Sequence, residues 1–76
     1  MFNEQIIQQV WDKATIVDGY NPNLWRQDFA GAWIRRDSYG TTMNFGWEID
    51  HLHPVSIGGG DNIGNLTPLH WRNNRP

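Results

Sequence analysis

A chain of 76 residues has room for one small domain and a small hydrophobic core. It contains no cysteine, which excludes a disulfide framework and a thiolate zinc knuckle as sources of stability. A formal net charge of −2 argues against a protein that grips nucleic acid by bulk electrostatics, since phosphate binding draws on clustered Lys and Arg. Stability must come from packing, from the five Trp, three Phe and two Tyr, or from a bound ion, and most of the aromatics are expected to be structural. The start carries Asn3, Glu4, Gln5, Gln8 and Gln9, and no long apolar run follows, so neither a secretory signal nor a membrane span is expected and the expected location is cytoplasmic.

In chain order, residues 3 to 14 place Ile6, Ile7, Val10, Trp11 and Ala14 at helical spacing, which predicts an amphipathic helix capped by Asn3. Its apolar stripe is read as a face packed on the rest of the domain rather than as a partner site. The run from Asp18 to Asn23 is dense in turn formers and must follow the end of that helix. Ala32 to Arg36 suits a short strand closed by a turn at Asp37-Ser38-Tyr39-Gly40. Phe45 to His53 mixes aromatic, β-branched and polar residues in near alternation and stops at Pro54, as a strand entering a loop would. Gly58-Gly59-Gly60-Asp61-Asn62 reads as a turn, a second short strand includes Asn65 to Thr67, and Pro68 is expected to open a terminal helix capped by Thr67.

The chemically capable residues crowd into the last third: Glu48-Ile49-Asp50-His51-Leu52-His53-Pro54, then the glycine turn, Asn65-Leu66 and Asn73-Asn74-Arg75. Asp50-His51, Asn65 fourteen residues after His51, and Asn74 nine further on form a spacing that resembles the HNH nucleases, in the variant whose last letter is Asn. The likeness covers roughly residues 45 to 76. It implies an α+β fold: a small ββα-metal (His-Me) finger over 45–76, preceded by the N-terminal amphipathic helix and turn over 1–20, in a single domain spanning 1–76. The implied activity is divalent-metal-dependent hydrolysis of DNA phosphodiester bonds.

The chemistry accounts for the residue types. Phosphodiester hydrolysis needs an activated water, a stabiliser for charge on the phosphoryl and leaving oxygens, and both held in line. By resemblance Asp50 and Asn74 are oxygen ligands for one divalent ion, Mg²⁺ before Mn²⁺, Ni²⁺ or Zn²⁺. His51 is the general base, an imidazole being competent near neutral pH, and Asn65 matches the residue that orients it. Neighbours on a regular strand point to opposite faces, so Asp50 and His51 can serve one centre only if the strand twists or ends there.

His70, four residues before Asn74 and one helical turn away, is a further ligand candidate by resemblance, beside the plain reading of a hydrogen-bonded histidine. His53, Arg72 and Arg75 are candidates for substrate contact, the last two lying in a stretch from 62 to 76 that holds no acid. Arg26, Arg35 and Arg36 form a second basic group that would either face a phosphate backbone or be ordinary solvated charge. Trp47 and Trp71 are read as core before base-stacking platforms.

The sequence departs from the family at its end. It stops at Pro76, where relatives continue the helix and carry a Lys shortly after the Asn. That departure implies either a shortened chain or weaker phosphate binding, for which a homodimer or an accessory partner would compensate. The competing reading is a catalytically silent nucleic-acid or protein interaction module that keeps the finger for its shape. A toxin nuclease domain neutralised by an inhibitor protein is a third.

Overall fold

The computed structural model describes residues 1–75; Pro76 lies outside them. The first element is helix α1, Glu4–Trp11, and the Asn3 side chain caps it by accepting from the Ile6 N–H at 2.9 Å. Ile7, Val10 and Trp11 are buried on one face and Ala14 follows them into the core. The helix stops at Trp11 rather than running to 14. Beyond it the Lys13 and Ala14 N–H groups bond to the carbonyls three residues back, and Thr15 bridges to Gln27.

Strands β1, Trp25–Gln27, and β2, Trp33–Arg35, form an antiparallel hairpin with Arg26 opposite Ile34. The sequence announces β2 but not β1. Arg26 is buried, which contradicts both readings of it as a phosphate-facing or solvated arginine. Its guanidinium donates to the carbonyls of Pro22, Asp12 and Ala14 at 2.9, 3.1 and 3.3 Å and lies over the Trp11 ring, so hydrogen bonds offset the cost of burying the charge. Arg36 bonds to Gln8 and Glu4, and Arg35 pairs with Asp37 at 2.8 Å over Trp25, so this group knits α1 and the hairpin together.

The second sheet is the antiparallel ribbon of β3, Trp47–His51, and β4, Leu66–His70, with Trp47 opposite His70 at one end and His51 opposite Leu66 at the other. Helix α2, Trp71–Asn74, follows directly. The order strand, loop, strand, helix is the expected one, and the chain is α+β with a small ββα unit behind an N-terminal helix.

Two boundaries differ from expectation. Strand β4 reaches His70, and Pro68 sits within it instead of opening the helix. Pro68 and Leu69 are both buried, and in a two-stranded sheet each strand keeps a free edge where a missing N–H costs no ladder bond. Burial therefore outweighs the helical preference of Thr67-Pro68, and capping passes to His70, whose ring Nδ1 accepts from the Arg72 N–H at 3.1 Å.

The core joins Ile7, Val10, Trp11 and Ala14 to Ile34, Trp47 and Leu66. The Trp11 and Trp47 rings, both fully buried, lie 5.3 Å apart, and Tyr39 meets Trp47 edge-on at 5.0 Å. Trp47 is thus core, while Trp71 is half-buried with its indole N–H on the Met43 carbonyl. No helix among the described residues is long and apolar enough to cross a membrane.

Candidate active site

The motif residues Asp50, His51, Asn65 and Asn74 lie on the β3–β4 ribbon, on its connecting loop or on α2, and two sets of contacts organise them. The first is at the α2 end. Glu48, on β3, accepts from the Asn74 amide at 3.0 Å and is ion-paired with Arg75. Hydrogen bonding and charge from Arg75, with the Asn74 amide, hold the Glu48 carboxyl below the usual carboxylate range against the opposing effect of burial. Asn74 spends its NH₂ on this contact, which leaves its carbonyl oxygen for another partner.

Asp50 lies two residues further along β3, on the side of the strand that also carries Glu48, and its carboxylate makes no side-chain hydrogen bond among the described residues. Asp50 and Asn74 thus offer hard oxygen donors that suit a divalent cation. No three His, Cys, Asp or Glu side chains gather into a metal-binding group among the described residues.

The second set is at the loop end. Strand β3 ends at His51, and Asp50 and His51 both lie within its ladder, opposite Thr67 and Leu66. The His51 ring lies 6.1 Å from Phe2, and its Nε2 is 2.6 Å from Oδ1 of Asp61. A carboxylate only accepts, so Nε2 carries the hydrogen; Nδ1 makes no hydrogen bond among the described residues.

Asn65 makes no hydrogen bond to His51 among the described residues. Its Oδ1 accepts from the His53 N–H at 2.7 Å, and its Nδ2 donates to the carbonyls of His53 and Gly60 at 3.1 and 2.8 Å. All three amide bonds go into closing the loop from 52 to 65. The glycine turn serves the same closure. Gly58 takes a positive φ of 95°, and a Cβ on Gly59 would collide with the His53 carbonyl, so the glycines admit backbone against backbone.

The remaining candidates have structural partners. Both nitrogens of His70 are engaged, Nε2 with the Asn44 carbonyl at 2.8 Å and Nδ1 with the Arg72 N–H, so neither is open to an ion in this arrangement. His53 lies beyond the end of β3, and its Nε2 meets the Ile57 carbonyl at 3.1 Å. Arg75 is held by Glu48, whereas Arg72 is exposed and stacks on Trp71 at 5.0 Å.

Asp28 and Asp61 are the residues that the sequence did not single out. Asp28 is 2% exposed and accepts from the N–H groups of Ala30, Ala32 and His70 and from the Asn73 side chain, at 2.8 to 3.0 Å. It locks the β1–β2 turn to the start of α2, and through α2 it positions Asn74. A signal for Asp61 was present in its place directly after the glycine turn, where a returning loop can bring an acid back to His51.

Residues 40–75 match the model of the HNH endonuclease family, the family that the sequence resembles over roughly residues 45 to 76. No curated protein and no solved structure matches the chain. The matched family is one of endonucleases, and the coarse functional indication is a nuclease-type activity.

Proposed function

We propose that this chain, an HNH-family sequence over residues 40–75, is a divalent-metal-dependent endonuclease that hydrolyses DNA phosphodiester bonds. The observation that carries the reading is His51, held through one ring nitrogen with the other unspent, at the end of a strand on which the preceding residue, Asp50, has a carboxylate without a side-chain hydrogen bond among the described residues.

In this reading Nδ1 of His51 takes a proton from water as the water oxygen bonds to phosphorus. The ester bond to one deoxyribose oxygen breaks on the opposite side, and that oxygen takes a proton from solvent. Asp50 and the Asn74 carbonyl would hold the divalent ion, Mg²⁺ as the first choice. When bound, it supplies Lewis-acid stabilisation of the phosphoryl and leaving oxygens. Asn65 keeps the loop closed, and Glu48 keeps Asn74 directed at β3.

The DNA contact must be economical. Of the six basic side chains, Lys13, Arg26, Arg36 and Arg75 donate hydrogen bonds within the chain and Arg35 is ion-paired with Asp37. Arg72 has no acidic partner among the described residues, and we assign it the phosphate contact. This scarcity also favours the second reading, a silent interaction module, and it is the reason to expect an accessory partner or a second copy on DNA.

The test is cleavage of supercoiled plasmid with Mg²⁺, Mn²⁺, Ni²⁺ or Zn²⁺ against chelator. Wild type should nick only with metal. Asp50→Ala and Asn74→Ala should not nick, and His51→Ala should lose about two to four orders of magnitude in rate. A folded wild-type protein that leaves the plasmid intact with every metal would transfer the assignment to the silent module.

A further inference from the structure

We infer that Asp61 is the positioning residue of His51: its carboxylate fixes the imidazole in the tautomer whose Nδ1 lone pair is free to accept a proton. The inference rests on the nuclease reading for its consequence in rate, but its geometry stands without it. Of the two side chains that could have oriented His51, the amide of Asn65 is fully spent on the loop, and the carboxylate of Asp61 lies 2.6 Å from Nε2. An imidazole without such a partner divides between two tautomers and rotates about its χ angles. A carboxylate acceptor removes one tautomer and narrows the rotation.

The loop is built to deliver that carboxylate. Asn65 grips the chain on both sides of Asp61: its side chain holds the Gly60 carbonyl at 2.8 Å, and its backbone N–H holds the Asn62 carbonyl at 2.8 Å. The side chain between these anchors reaches back ten residues to His51. Phe2 lies against the imidazole, at an interplanar angle of 41°. Asn65 therefore acts on the base at one remove, through the loop and Asp61.

Exposure defines what the pair can do. The Asp61 side chain is 72% exposed and that of His51 22%, so water screens the pair and it adds little to stability. Its effect is on which nitrogen carries the hydrogen and where the lone pair points. When Nδ1 gains a proton during hydrolysis, the ring becomes an imidazolium beside a carboxylate already in place.

The experiment has two arms on the full chain. In chelator, long-range ¹H–¹⁵N spectra of the His51 ring should show hydrogen on Nε2 in wild type and a mixture or inversion of tautomers in Asp61→Asn, whose amide can donate to Nε2 instead of accepting from it. In plasmid cleavage with Mg²⁺, Asp61→Asn should lower kcat about 10- to 100-fold with KM little changed, as loss of an orienting partner does. Asp61→Glu, which keeps the carboxylate, should recover part of the rate and the wild-type tautomer.

A tautomer that is the same in wild type and Asp61→Asn would overturn the inference, as would an active Asp61→Asn enzyme with unchanged kcat. If wild type cuts nothing but the tautomer shifts in Asp61→Asn, the nuclease reading fails while the assignment of Asp61 to His51 stands.

Discussion

The two ends of the β3–β4 ribbon are secured by different physics. At the end where Trp47 faces His70, a buried carboxylate and a fully buried indole fix the chain: Asp28 gathers four donors out of water, and Trp47 packs on Trp11. At the end where His51 faces Leu66, the loop from 52 to 65 is mostly exposed, and an amide, a glycine contact and a solvent-facing carboxylate hold it. The lesson is a division of labour. The helix bearing Asn74 is set by the fold, whereas His51 is set by a local staple that can fail without unfolding the protein.

The largest effect that would test this contrast is at Asp28. Asp28→Ala leaves the N–H groups of Ala30, Ala32 and His70 and the Asn73 amide without their acceptor in a buried place. We expect a loss of about 3 kcal/mol or more, which for a chain of this size lowers Tm by roughly 15 °C. Asp28→Asn sharpens the point. Its remaining oxygen can serve the β1–β2 turn, but its NH₂ then faces the donors of His70 and Asn73, so α2 should loosen while the hairpin holds. Thermal unfolding and hydrogen exchange at the His70 amide check this. Unchanged stability in Asp28→Ala would mean that the α2 end is held by Trp47 alone.

At the loop end, Asn65→Ala should cost roughly 1–2 kcal/mol, because its three hydrogen bonds lie in an exposed loop where water replaces part of what is lost. The protein should stay folded with faster exchange at the His53 amide, and the His51 ring should lose its single tautomer. Gly59→Ala should produce the same pattern by another route, since its new methyl meets the His53 carbonyl. Loss of global folding in either variant would erase the distinction between the two ends.

How far the sequence disclosed this arrangement follows the same division. Helix α1 was legible because its cap and apolar spacing are local, and the ββα order was legible because Pro54, the glycine turn and the motif punctuate it. Strand β1 has three residues, Trp25-Arg26-Gln27, too short to show alternation, and exists through its pairing with β2 and Thr15. The start of α2 was misplaced because Pro68 and Leu69 answer to burial, which local preference does not record. Asp28 was silent because the partners that join it to α2 lie 42 and 45 residues away. Asn65 was placed in the site by its position in the motif, but the choice between touching His51 and closing the loop is three-dimensional.

The smallest effect concerns the contact by which α2 reaches back to β3. The Glu48 carboxyl is held below its ordinary range chiefly by its hydrogen bond to Arg75, helped by the Asn74 amide and the Arg75 charge. A group whose folded value is depressed gives stability that is fully present above its unfolded value and lost as pH falls through the folded value. In chelator, the docking of Asn74 and Arg75 on Glu48 should therefore weaken on the acid side of the carboxylate range and stay constant from there to neutrality. Amide shifts of Asn74 followed through an acid titration should show this, and Glu48→Gln should remove the Glu48 contribution at every pH while leaving the Asp28 anchor intact. Because Arg75 is exposed, the loss should be a modest lowering of Tm rather than unfolding. An Asn74 environment that ignores both acid and Glu48→Gln would show that Asp28 positions the metal-ligand candidate unaided, and the contrast between the two ends of the ribbon would become sharper still.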